Sequence, residues 1–156
     1  GEERFYVMAL EDCKKTINGE EYSEFYWYYN AYDNGISEYA TLTKTGVGEG
    51  ATNTSNMLAQ WNAAIPTYGA KNDVDMWGLV KDGWFIPSAE EWAAFQNEMG
   101  VNPGTFIDLG LSWYYWSSSL QSAEQAFCID QEIDGGMLCY DNLRSTNNSV
   151  RLSTTF

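Results

Sequence analysis

Apolar positions change their spacing several times along the chain, and each change marks an expected element. Residues 5–10 (FYVMAL) form a short apolar run that predicts a first strand. Thr16-Ile17-Asn18-Gly19 predicts a turn. Residues 24–32 (EFYWYYNAY) are densely aromatic and predict another strand. The glycines of 46–50 (GVGEG) predict a loop. From Asn53 to Ala64 the spacing turns helical: Met57, Leu58 and Trp61 share a stripe, with Thr52 or Asn53 as cap. Residues 75–80 predict a short helical turn, and 84–86 a short strand ahead of Pro87.

The clearest local signal follows. Ser88-Ala89-Glu90-Glu91 is a capping box, with Ser88 as N-cap and Glu91 at the third helical position. Trp92, Phe95 and Met99 lie at i, i+3 and i+7, which predicts one buried face. Gly100 stands where a terminating glycine belongs. Past Gly110, residues 114–118, 126–129, 137–140 and 150–152 predict short strands, with polar loops at 119–125, 131–136 and 141–149. Strands, two helices, then antiparallel strands make an α+β pattern. No linker or repeat interrupts it, so residues 1–156 read as one domain.

Composition narrows the class. Hydrophobic residues at 44% and charged residues at 19% fit a folded chain with one core. Aromatics reach 16%, including 7 Trp and 11 Tyr, which suits a loop-rich fold where large rings fill the space between short elements. The formal net charge of −14 repels phosphate backbones and anionic lipid, so neither nucleic acid nor membrane insertion is expected. There is no apolar run of about 18 residues. Gly1-Glu2-Glu3-Arg4 shows no signal-peptide core, and a targeting segment removed ahead of it is left open.

Candidate chemistry is sparse. The chain has no histidine, which removes the usual Cys/His zinc sites, the commonest general base and every Ser-His or Cys-His pair. Its 3 cysteines, Cys13, Cys128 and Cys139, cannot all pair within one chain. Cys128 and Cys139 are free thiols, a pair facing across strands or a reactive couple; a disulfide needs Cα atoms about 4.4–6.8 Å apart, which sequence leaves open. Asp130, Glu132, Asp134 and Asp141 offer oxygen ligands for calcium, against the plainer reading of solvated loop acids. The 46–50 loop lacks the Lys-Ser/Thr of a phosphate loop, and Glu49 would repel phosphate. Trp77, Trp84, Trp92 and Trp116 read as core rather than as sugar-stacking platforms. Arg151 reads as structural, and Arg144 as either a loop anchor or a contact.

Four segments, taken in order, carry a resemblance. They are Asp75-Met76-Trp77-Gly78-Leu79, the stretch from Gly83 through Pro87 to Trp92, Tyr115-Trp116-Ser117-Ser118-Ser119, and Val150-Arg151-Leu152-Ser153. Together they resemble the C-type-lectin-fold proteins of bacteria and phages, in their paralogous-domain branch, and within it the variable proteins of diversity-generating retroelements. The likeness covers residues 46–156 well and the first 45 loosely. It implies a C-type lectin fold: two helices packed around small antiparallel sheets, with the N- and C-terminal strands adjacent. It implies a receptor-recognition domain on a phage tail or bacterial surface, hence extracellular, cell-surface or virion placement. It also implies no enzyme and no cofactor or metal, and a cell-surface protein or glycan as partner. Homo-oligomerisation stays open. The Glu-Pro-Asn, Gln-Pro-Asp and Trp-Asn-Asp motifs of calcium-dependent lectins are absent. The alternatives are an unvarying adhesin or structural module of the same fold and an enzyme like the formylglycine generators.

In that family, template adenines are mutated and the altered codons cluster near the C-terminus. Codons AAC and AAT changed at their first two bases encode Asn, Tyr, Ser, Asp, Cys, Phe, Leu, Ile, Thr, Gly and a few others, but never Gln, Glu, Met, Trp or Lys. Between Leu120 and Ser149 many loop and strand positions hold residues of this set; Leu120, Ser122, Cys128, Asp130, Cys139, Asp141, Leu143, Ser145, Thr146, Asn148 and Ser149 are taken with Tyr114 as candidate ligand contacts. Gln121, Glu124, Gln125, Gln131, Glu132 and Met137 fall outside the set and are expected to be scaffold. In residues 126–130 (AFCID), strand alternation puts Phe127 and Ile129 on one face and Cys128 and Asp130 on the other, taken as outward.

Overall fold

The structure is a computed structural model that describes residues 4–32, 35–63, 67–132 and 137–156. The fold class is α+β. Among the described residues the order is β1 (Tyr6–Met8), β2 (Lys15–Ile17), β3 (Glu20–Tyr22), β4 (Phe25–Tyr26), α1 (Tyr39–Leu42), α2 (Gly50–Trp61) and a 3₁₀ turn (Met76–Leu79). Then come α3 (Ala89–Met99), β5 (Tyr114–Leu120), β6 (Gln125–Asp130), β7 (Met137–Asn142), β8 (Asn147–Asn148) and β9 (Ser153–Thr155).

Small antiparallel pairs tie distant segments together. β1 pairs with β9, Val7 opposite Thr154, so the two ends of the chain lie side by side. β4 pairs with β8, and β5, β6 and β7 form a three-stranded sheet. β2 and β3 make a hairpin around Asn18 and Gly19, both at positive φ (51° and 83°), which an Asn-Gly pair accepts. The turn is legible in the sequence. The hairpin is not, because Lys15–Ile17 and Glu20–Tyr22 carry too little apolar alternation to show as strands.

The expected strand at 150–152 lies further on, at Ser153–Thr155. Val150 and Leu152 instead present carbonyls to the N–H groups of Cys13 and Ala9, each at 2.8 Å, and so hold the N-terminal segment. Between them, buried Arg151 donates to Asp12 (2.8 Å) and to the Gly110 carbonyl (2.7 Å), the structural role expected of it.

Two buried clusters sandwich the sheet. The larger holds Phe25, Trp27, Trp77, Ile86, Trp116 and Cys128; the smaller holds Trp92, Phe106, Leu111, Tyr115 and Ile129. Buried indoles need a partner for their N–H. Trp27 finds the Ser117 carbonyl (2.9 Å), Trp116 that of Phe25 (2.6 Å) and Trp92 that of Trp116 (3.2 Å). Trp77 is buried too, and Trp84 packs half-buried against the larger cluster, so these tryptophans are core.

α3 carries its capping box as read, and Gly100 ends it in the left-handed region at φ 64°. Its buried face differs from the expected one. Trp92 and Gln96 are buried, Phe95 is half-buried and Met99 is 38% exposed. The buried stripe runs through Gln96, which donates to Gln131 across the interface at 2.9 Å, rather than through Phe95 and Met99.

α2 starts at Gly50, ahead of the expected Thr52 or Asn53 cap, and no side chain of its own caps it. Glu91 does that work. Its carboxylate accepts from the N–H groups of Gly48 (2.9 Å) and Gly50 (3.4 Å), as well as from Ser88 (2.8 Å). One buried carboxylate thus serves the N-termini of two helices, where unpaired donors and the positive dipole end favour it. Asn53 is freed to bind the backbone of Lys44, accepting from its N–H at 2.8 Å and donating to its carbonyl at 2.7 Å. The expected end of this helix, Ala64, lies outside the described residues.

Candidate functional site

Strand register decides which candidate contacts reach solvent. Tyr114 faces Asp130, Trp116 faces Cys128, Cys128 faces Cys139, and Ala126 faces Asp141. Directly opposed residues share a face, so all of these lie on one side of the sheet. The middle of that side turns inward. Trp116, Ala126, Cys128 and Leu120 are buried in the larger cluster. Cys128 is therefore not outward, and Leu120 is no contact. Period 2 tells which residues travel together, but not which face stays wet; β6 is the central strand, and Cys128 and Ile129 are both fully buried on its opposite sides.

Three further candidates belong to the frame. Leu143 is buried in the core. Asn148 is buried in the β4–β8 pair and donates to Asp141 at 3.1 Å. Buried Ser149 bridges to β5 through its backbone, donating to the Tyr114 carbonyl (3.1 Å) and accepting from Trp116 (3.0 Å). Half-buried Ser122 closes the β5–β6 turn by accepting from Gln125 at 3.2 Å. Cys139 is half-buried and disulfide-bonded to Cys128, with Cα atoms 4.9 Å apart.

The candidates that reach solvent divide between the two ends of the sheet: Tyr114 and Asp130 stand at one end, and Asp141, with the turn that carries Ser145 and Thr146, forms the rim at the other. Exposed Tyr114 donates from its hydroxyl to Glu132 at 3.0 Å. That bond, some burial and the carboxylates of Asp130, Glu132 and Asp141 hold its pKa above the usual tyrosine value. Asp130, Asp141 and Thr146 are half-buried, and Ser145 is exposed. Of the residues weighed for calcium, Asp134 lies outside the described residues. Among the described residues, Asp130, Glu132 and Asp141 do not bring three carboxylates to one point.

Beside this rim opens a cleft of about 600 Å³. One wall is the β7–β8 turn, with Asn142, Arg144 and Ser145, joined by Glu124. The facing wall is Tyr29, Asn30 and Tyr32. The two tyrosines are 42% and 53% exposed, which is unusual for rings flanked by the fully buried Trp27 and Tyr28. The backbone beneath is pinned. Leu143 donates to Glu124 and accepts from Tyr28, each at 3.0 Å, and Ile36 donates to Ala123 at 2.6 Å. Gly35 sits at φ 70° with its α-carbon against the Ala123 carbonyl, where no side chain fits. Buried Asp75 holds the aromatic wall, accepting from Tyr29 N–H (2.6 Å), Trp61 Nε1 (2.9 Å) and Asn72 N–H (3.0 Å). Desolvation raises its pKa and those bonds pull it back in part.

Sequence reasoning missed Tyr29, Asn30 and Tyr32. The signal available was the aromatic density of residues 24–32, more rings than a short strand can bury. Glu124 is scaffold through its carbonyl, yet its exposed side chain lines the cleft. Gln131, also expected as scaffold, is fully buried. Comparison with family models finds no match, and comparison with curated proteins finds none.

Proposed function

We propose that the chain is a ligand-binding domain of the C-type lectin fold, with a retroelement-diversified C-terminal surface displayed on a phage tail or bacterial surface. One observation carries this reading: the cleft sets a fixed aromatic wall, Tyr29 and Tyr32, against a C-terminal turn whose side chains point to solvent while its backbone is pinned. Exposed side chains on a pinned backbone change at about ±0.5 kcal/mol each, so they can be exchanged without loss of fold. Tyrosine with small polar residues supplies adaptable contacts, as in antibody loops.

The contact set is narrower than codon chemistry suggests. It comprises Tyr114, Asp130, Asp141, Ser145 and Thr146, with Arg144 beside them and with Tyr29 and Tyr32, outside residues 112–153, as unvaried neighbours. Leu120, Cys128, Leu143, Asn148 and Ser149 leave it, being buried. Binding fits this surface better than catalysis, since the chain has no histidine and the cleft's charged groups are Glu124 and Arg144. The partner is a protein or glycan on a cell surface.

The test is an array of surface glycans and receptor ectodomains probed with the purified domain. Tyr29→Ala with Tyr32→Ala is expected to weaken any hit at least tenfold, while Glu98→Gln, exposed on α3 and outside the cleft lining, leaves it unchanged. A hit insensitive to both tyrosines and to Ser145→Tyr overturns the site. Diversification itself is checked in the DNA: a template repeat should match the codons of residues 112–153 except at adenines, and its absence removes that half of the proposal.

A further inference from the structure

We infer that reduction of the Cys128–Cys139 disulfide unmasks a site for a thiophilic divalent metal, zinc foremost, with Asp141 as third ligand. The two cysteines face each other across β6 and β7. Asp141 lies two residues beyond Cys139 on the same face of β7. Ligand atoms of all three come within 4.8 Å of one another. Among the described residues this is the cluster that gathers three potential ligand atoms. With no histidine and no Cys-x-x-Cys spacing, only the strand register reveals it.

Each part suits zinc rather than calcium. Two thiolates and a carboxylate form a soft, three-ligand set that leaves one tetrahedral position for water or an incoming group. Sulfurs on one tetrahedral zinc stand about 3.8 Å apart, given Zn–S bonds of about 2.3 Å. Cysteines with Cα atoms 4.9 Å apart reach that separation by side-chain rotation once the bond is broken. Asn148 donates to Asp141 at 3.1 Å and fixes the carboxylate from behind, as second ligand shells do. Cys128 is sealed, while Cys139 and Asp141 are half-buried, so a metal enters from their side. The surroundings are anionic: Tyr114 feels Asp130, Glu132 and Asp141 together, and the chain carries −14. Such a field draws cations in.

The chemistry balances with an external phosphine as reductant. The phosphine takes oxygen from water and becomes its oxide, and water's two protons go to the two sulfurs. Zinc then displaces both thiol protons to solvent and takes Asp141 as its third ligand. Cys13 stands outside this cluster.

The experiment uses the Cys13→Ser chain, oxidised or reduced with phosphine and desalted under inert gas, then titrated with cobalt(II) and back-titrated with zinc. The reduced chain should bind one cobalt, with a near-ultraviolet sulfur-to-cobalt band that zinc erases, and the oxidised chain none. Asp141→Asn should weaken binding at least tenfold, and Cys139→Ser should abolish the band. Near-ultraviolet circular dichroism must survive reduction. Loss of that spectrum, a reduced chain without the band, equal binding by the oxidised chain, or an Asp141→Asn chain that binds like the parent each overturns the proposal.

Discussion

The loop at 46–50 and the turn at 142–146 are both short and polar, yet they are held in opposite ways. The first is gripped by buried side chains. Glu91 takes the N–H groups of Gly48 and Gly50, and Ser88 Oγ donates to the Gly46 carbonyl at 2.8 Å. A β-carbon on Gly50 would run into the Glu91 carboxylate and the Phe85 ring. The second is held mainly through its backbone and its first residue. Leu143 pairs with Glu124 and Tyr28, Arg144 N–H donates to Asn142 Oδ1 at 2.9 Å, and Thr146 N–H reaches the Asn142 carbonyl at 3.4 Å. Arg144 and Ser145 project into the cleft. Where side chains do the holding, residue identity is constrained. Where the backbone does it, identity is released and the surface is available for recognition.

The sharpest way to break the contrast is Glu91→Ala. It strands two buried backbone donors, those of Gly50 and Ser88, besides that of the exposed Gly48, and each unsatisfied buried group costs about 1–3 kcal/mol. A loss of about 2 kcal/mol or more in urea unfolding is expected, and a loss under 1 kcal/mol would show that water replaces the carboxylate.

A milder probe is pH. Burial raises the pKa of Glu91 and of Asp75 above the ordinary 4.5 and 3.8, more than their hydrogen bonds lower it. The fold therefore binds these protons more readily than the unfolded chain does. Their contribution to stability is largest below the ordinary values and fades as pH rises through the folded ones. Urea midpoints should increase from pH 7 toward pH 4.5, and Glu91→Gln should flatten that dependence. An unchanged slope in the Gln variant would assign the effect to relief of the overall negative charge instead.

The smallest effect belongs to the turn. Ser145→Ala is expected to shift stability by no more than about 0.5 kcal/mol. A larger shift by thermal melt would place Ser145 with the gripping residues and narrow the exchangeable surface.

Local motifs were read well from sequence. The Ser88–Glu91 box, Gly100 and the short strands of the C-terminal third stand within a few residues of where their patterns put them. The box and the glycine cap rest on contacts within about four positions, so the order of residues specifies them, while the strands show through their short apolar runs between polar loops. Glu91 shows the limit: its box with Ser88 is visible in the sequence, whereas its hold on Gly48 and Gly50 spans more than forty positions.

What the chain's order determined by itself is therefore the α+β element pattern, both caps of α3, the aromatic core residues and the structural place of Arg151. Tertiary structure alone decided that Cys128 and Leu143 are buried, that Cys139 meets Cys128, that the buried stripe of α3 runs through Gln96, and that Tyr29 and Tyr32 stand open beside the 142–145 turn. The physical reason is that alternation along a strand assigns side chains to faces, but exposure belongs to whatever packs against each face, and that comes from segments far away in the chain.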